Sequence, residues 1–153
     1  VDDLPNSITH LTFGTNFNKP VDKLPNSIKY LKFGLLFDCR INKLPNLTHL
    51  IFGGGFNEHV NLPNSITHLT FGRNFNRVIE YPNSIKCLTF SYNFNQDIVL
   101  PNVKLLVFGS KFDKPVVLPD SLESIKFGLM FDWPVELPKN IKDVTFGACF
   151  NKK

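Results

Sequence analysis

A pair of phenylalanines four residues apart recurs eight times and constrains the fold of this chain more than any other feature. The pairs are Phe13/Phe17, Phe33/Phe37, Phe52/Phe56, Phe71/Phe75, Phe90/Phe94, Phe108/Phe112, Phe127/Phe131 and Phe146/Phe150, and they account for all 16 phenylalanines. Because no phenylalanine stands outside these two columns, each column has a structural role. Repetition at a fixed period predicts stacked units rather than an irregular globular core.

Each repeat opens with a Leu-Pro dipeptide, for example Leu62-Pro63, and Tyr81-Pro82 is the single variant. Proline cannot continue an α-helix, and it biases the residue before it towards extended geometry. Prolines at this spacing therefore exclude a helical repeat.

An apolar block of constant length follows each dipeptide, as in Ile66, Leu69 and Phe71. Leu69 and Phe71 are two residues apart, so both point to one side of a short strand, and His68 and Thr70 point to the other side. Changes in repeat length fall only in the turns. The pattern predicts one domain over residues 1–153: a mostly β, right-handed, leucine-rich-repeat-like solenoid of eight coils of 18–20 residues, with a parallel sheet on one face and little or no helix.

Two further columns lie at the turns. Glycine follows the strand in every repeat except at Ser91, so this position is expected to need positive φ or a close backbone approach, with slight strain at Ser91. Asparagine or aspartate follows the second phenylalanine of every repeat, where its side chain can bond turn backbone. Neither end of the chain carries an obvious polar cap, so we expect more repeats, a neighbouring domain or an end-to-end contact there.

The segments LPNSITHLTFG and Phe17-Asn18-Lys19-Pro20-Val21 resemble the FNIP repeat, a leucine-rich-repeat-like unit of amoebae and of large viruses that infect amoebae. The proline of the FNIP phrase is kept only at Pro20, Pro115 and Pro134. The resemblance implies a leucine-rich-repeat-like stack. It also implies that the repeats could act as the substrate-recognition arm of an F-box ubiquitin ligase, because repeats of this family often follow an F-box domain. No repeat-free segment of this chain could hold an F-box.

The outward strand positions are the candidate partner-binding surface. It comprises His10, Tyr30, His49, Ile51, His68, Cys87, Leu105 and Val107. Neighbouring positions in one column stand about 4.8 Å apart, so Cys87 is too far from His49 to share a tetrahedral metal ion. We therefore expect no metal site. A histidine phrase inherited by repeat duplication and a partner-binding strip both remain open.

Composition and motifs exclude several other functions. The chain has no apolar run near 18 residues and therefore no expected membrane span. The net charge is +4, but the basic residues form no cluster along the sequence, so nucleic acid is not an expected partner. No catalytic or cofactor constellation stands out. The three cysteines fit a reducing compartment, so we expect a cytoplasmic location, with a host cytoplasm or a virion as alternatives. We expect a non-enzymatic module that binds a protein partner, or alternatively a structural repeat protein that self-associates in a larger assembly.

Overall fold

The computed structural model describes residues 3–152 and contains eight short parallel strands. They are β1 (His10–Thr12), β2 (Tyr30–Lys32), β3 (His49–Ile51), β4 (His68–Thr70), β5 (Cys87–Thr89), β6 (Leu105–Val107), β7 (Ser124–Lys126) and β8 (Asp143–Thr145). They form one sheet in the order β1 to β8, and no helix occurs among the described residues. The predicted solenoid with a parallel sheet on one face is confirmed.

Every strand pairs with the equivalent residues of the next repeat, so that Leu50 lies opposite Leu69. Shortened repeats do not disturb this register, because the turn absorbs the missing residue. The amide of Leu47 donates to the carbonyl of Pro45, two residues back, at 2.7 Å. In a repeat of full length, the amide of Ile66 donates to the carbonyl of Pro63, three residues back, at 3.1 Å.

The phenylalanine rings form two parallel files inside the coils, as the repeat pattern predicts. Ring centroids within one repeat lie 3.7–4.0 Å apart. Between coils they lie 5.3–6.0 Å apart in the first file and 6.0–6.2 Å in the second. Rings from Phe33 to Phe131 are at most 2% exposed. The rings of the first and last coils, Phe13, Phe17, Phe146 and Phe150, are only partly buried.

The Asn/Asp column joins each coil to the next. The side-chain oxygen of Asn76 accepts a hydrogen bond from the amide of Asn95 at 2.9 Å, and the amide of Asn76 donates to Asn57 Oδ1 at 2.9 Å. Equivalent bonds of 2.8–3.3 Å run along the whole column, from Asn18 to Asn151. The predicted bond to turn backbone is therefore made to the turn of the following coil.

The glycine column is a line of close backbone approach. A Cβ atom on Gly72 would overlap the carbonyl of Gly53 in the preceding coil, and the same overlap recurs from Gly34 to Gly147. No described residue, glycine or other, has positive φ. Of the two predicted causes, close approach is correct and positive φ is wrong. Ser91 carries no positive-φ strain either.

Candidate functional site on the outer sheet face

The centre of the outer sheet face is a stack of four aromatic rings on adjacent strands. The ring centroids of His10 and Tyr30 are 5.6 Å apart, and those of Tyr30 and His49 are 6.1 Å apart. The rings of His49 and His68 lie closer, at 4.2 Å and an interplanar angle of 8°. The facing sides of His49 and His68 therefore cover each other, whereas the ring of Tyr30 is tilted by 35° against that of His49.

Threonine hydroxyls contact the two imidazoles of His49 and His68. Thr48 Oγ1 donates to the carbonyl of Lys29 at 3.1 Å, and Thr67 Oγ1 donates to the carbonyl of Thr48 at 3.0 Å. Each hydroxyl also lies 2.9 Å from Nδ1 of the next histidine, His49 or His68. Each of these hydroxyls therefore links an imidazole nitrogen to a backbone carbonyl of the preceding coil.

Partial burial and neighbouring imidazoles act on the charge of this strip. Loss of hydration lowers the pKa of His49 below its usual value, and the positive charges of His68 and His10 would lower it further. Burial raises the pKa of the Cys87 thiol, which keeps the thiol protonated at neutral pH. Over residues 3–152, no three His, Cys, Asp or Glu side chains come together as a metal-binding group.

Aliphatic side chains continue the strip beyond the histidines. Leu105 pairs with Cys87 in the sheet register and is 38% exposed, while Val107 pairs with Thr89 and is half-buried. Ile51, at the end of β3, is also half-buried. The structure therefore brings all eight sequence-predicted residues together on one surface, on strands β1 to β6. Binding at this surface stays a prediction.

Lysines border the strip on both sides, and the candidate residues predicted from the sequence did not include them. Lys29, Lys86 and Lys104 come just before the strands, and Lys32 and Lys126 end β2 and β7. The spacing of the apolar residues before each strand could have indicated the lysines that precede the strands. The first two apolar residues of each repeat's strand segment are three apart, as in Val103 and Leu106, and both of these side chains are fully buried. The two residues between them must therefore both lie on the outer side.

One carboxylate on the same face is already engaged by lysines. Glu123 accepts from Lys104 Nζ at 2.8 Å and from Lys142 Nζ at 2.6 Å. These hydrogen bonds lower the pKa of Glu123 to about 2, and the two positive charges add to the effect. Glu123 is therefore ionised throughout the physiological range.

A second exposed apolar surface lies at the corner that follows the second phenylalanine. Val99 and Val117 are 91% and 88% exposed, in a column that holds Asp22, Glu80 and Glu136 in other repeats. Their replacement of polar residues was the signal in the sequence, and it was overlooked.

The parallel strands, the coils without helix over residues 3–152 and the stacked ring files define this protein as a leucine-rich-repeat-like β-solenoid. The FNIP-repeat family model matches residues 1–36, 20–55, 56–81 and 99–130, which together cover more than half of the chain. The chain belongs to the FNIP-repeat family, as its motifs indicated.

A solved structure with a similar fold is that of CroV588, described as a novel circular LRR protein. The two chains are 30% identical, with a TM-score of 0.51, over 98% of this chain and 35% of CroV588. This chain therefore spans about a third of the length of that protein. The comparison with curated proteins finds no match. Within the described part of the chain, no helix is long and apolar enough to cross a membrane.

Proposed function

We propose that this protein is a non-enzymatic recognition module that binds a protein partner through its outer sheet face. The observation that carries the proposal is the continuous strip on β1 to β6, in which imidazole and phenol edges adjoin exposed aliphatic side chains. Aromatic and aliphatic groups with polar edges are typical of the centres of protein interfaces. The register of the sheet holds this strip in place, so little conformational entropy is lost on binding.

Comparative capture experiments test this proposal. Wild-type protein and the triple variant His49→Ala/His68→Ala/Leu105→Ala are immobilised, and captured host proteins are identified and expressed. Each is then titrated against both proteins by calorimetry. A partner of the sheet face should bind the wild type and lose about tenfold or more in affinity for the variant. The matched control is Val99→Ala/Val117→Ala at the exposed corner outside the strands, which should bind as the wild type does. A partner that loses affinity only for the control variant would place recognition elsewhere.

Family resemblance supports a narrower role, the substrate-recognition arm of an F-box ubiquitin ligase. Its test is the full gene: an F-box domain encoded before the repeats, together with co-purification of ligase subunits, would support the role. Full-length protein that lacks both would rule it out.

Self-assembly is the alternative function, and a separate observation favours it. The core rings of the first and last coils are partly exposed, and the related CroV588 is described as circular. Coils that dock end to end would cover these rings. Sedimentation of this chain over a range of concentrations tests the alternative, because a chain that remains monomeric at high concentration does not self-assemble in this way.

A further inference from the structure

The outer sheet face carries more lysines than acidic side chains. Lys32, Lys86 and Lys126 form no ion pair within residues 3–152, and Lys29 uses its amine only on the carbonyl of Asn46, at 3.2 Å. Glu123 is shared between two other lysines, as described above. Asp143 is the one acidic residue on the described strands, and it lies on the last strand, β8. The outer sheet face therefore carries a net positive charge.

Two of these lysines, Lys86 and Lys126, border the aliphatic part of the strip. Lys86 directly precedes Cys87, and Lys126 pairs with Val107 in the sheet register. Leu105 lies between them on the central column, beside Cys87. An occupant of this surface thus meets an apolar centre with ammonium groups on both sides.

We propose that the partner segment bound here is acidic and partly apolar. This inference rests on the proposed function of the sheet face and names its ligand class. An aliphatic or aromatic side chain of the partner covers Leu105 and Val107, and flanking carboxylates pair with Lys86 and Lys126. Such charge complementarity sets partner choice and association rate more than total affinity.

A nucleic acid would also present negative charges to these lysines, but the ring geometry favours a protein. Single-stranded nucleic acids are bound largely by stacking of bases on exposed aromatic faces. The rings of His49 and His68 lie 4.2 Å apart and nearly parallel, which leaves no room for a base between them, and the adjoining Leu105 and Val107 are aliphatic. The oligonucleotide is therefore an arm of the test rather than the expected ligand.

The test is fluorescence anisotropy with three labelled probes at low salt. They are a peptide of about twelve residues that alternates glutamate and leucine, the same peptide with lysine in place of glutamate, and an oligothymidylate of similar length. The acidic peptide should bind at least about tenfold more tightly than the other two, and salt should weaken its binding. Equal binding of the basic peptide, or tighter binding of the oligothymidylate, would overturn the proposal.

Variants with opposite expected effects locate the binding surface. Lys86→Glu/Lys126→Glu should weaken binding of the acidic peptide about tenfold or more, because attraction becomes repulsion. Glu123→Gln releases Lys104 and Lys142 and should strengthen it about twofold to fivefold. Lys43→Glu/Lys139→Glu changes the net charge equally at exposed corner positions and should leave binding within about twofold. Equal losses in both double variants would show that only net charge matters, and would refute the proposal.

Calorimetry with the native partner separates this inference from the proposed function. If Leu105→Ala/Val107→Ala weakens that partner but Lys86→Glu/Lys126→Glu does not, the sheet face binds a partner that is not acidic. If neither double variant weakens it, both the proposed function and the acidic ligand class are refuted. Circular dichroism of each variant should match the wild type, because these side chains lie outside the buried ring files.

Discussion

The close approach of neighbouring coils at the glycine column leads to a sharp prediction for Gly72→Ala. The added Cβ would overlap the carbonyl of Gly53 and lie 2.8 Å from the amide nitrogen of Gly54. All of these atoms belong to the backbone, which cannot rotate away as a side chain can. The two coils must therefore move apart locally before the methyl group fits.

The cost follows from the hydrogen bonds beside the glycine. The amide of Phe52 donates to the carbonyl of Thr70 at 2.9 Å, and the amide of Asn74 donates to the carbonyl of Gly54 at 2.9 Å. A shift of about 1 Å lengthens both beyond normal hydrogen-bond distance. Two such bonds are worth about 0.5–1.5 kcal/mol each, and overpacking costs about 1–3 kcal/mol. We expect Gly72→Ala to lower the free energy of unfolding by about 2–6 kcal/mol.

The same column supplies a matched control in the first coil. An added Cβ on Gly14 meets no atom within 4 Å, because no described coil precedes it. Gly14→Ala should be neutral or stabilise by about 0.4–1 kcal/mol through the unfolded chain. Urea unfolding followed by far-ultraviolet circular dichroism measures both variants. Equal urea midpoints for Gly14→Ala and Gly72→Ala would refute close approach as the reason for glycine.

Three further predictions concern the core, the coil-to-coil bonds and the histidines. Phe75→Ala should lower the free energy of unfolding by about 3–5 kcal/mol, because it leaves a cavity between the neighbouring rings. Phe17→Ala should cost less, because Phe17 is only partly buried. Equal urea midpoints for the two variants would argue against a buried file of rings. Asn76→Ala should lower the free energy of unfolding by about 1–3 kcal/mol, because it leaves the amide of Asn95 unpaired. Asn76→Asp should be milder, because aspartate keeps the acceptor oxygen. Equal thermal midpoints for the two variants would contradict the role of Asn76 as a hydrogen-bond acceptor. Folding lowers the pKa of His49, so the unfolded chain takes up the proton more readily than the folded protein does. The free energy of unfolding should therefore hold above about pH 6.5 and fall below it. His49→Gln should reduce the change in unfolding free energy between about pH 7.5 and about pH 5.5, and an unchanged pH dependence would count against His49 as its source.

Much of the fold could be predicted because the repeats carry their own register. The constant spacing of Leu69, Phe71 and Phe75 within each repeat allows only one way to stack the coils with every ring inside. That spacing placed all eight candidate residues on the outer face, and the parallel pairing of β1 to β8 confirms their positions. For the glycine column, the sequence predicted two alternative causes, positive φ or close backbone approach. A repeat pattern indicates that a side chain is excluded at a position, but it does not indicate what excludes it.

The sequence by itself determined the periodicity, the interior files of rings and the identity of the outward columns, because each follows from residue spacing along one coil. The tertiary structure alone decided the relations between coils. It shows that Asn76 bonds the backbone of the following coil, that Thr48 and Thr67 bond carbonyls of the preceding coil, and that Glu123 holds two lysines. These contacts depend on distances between residues some 19 positions apart in the chain, which become neighbours only when one coil is laid on the next.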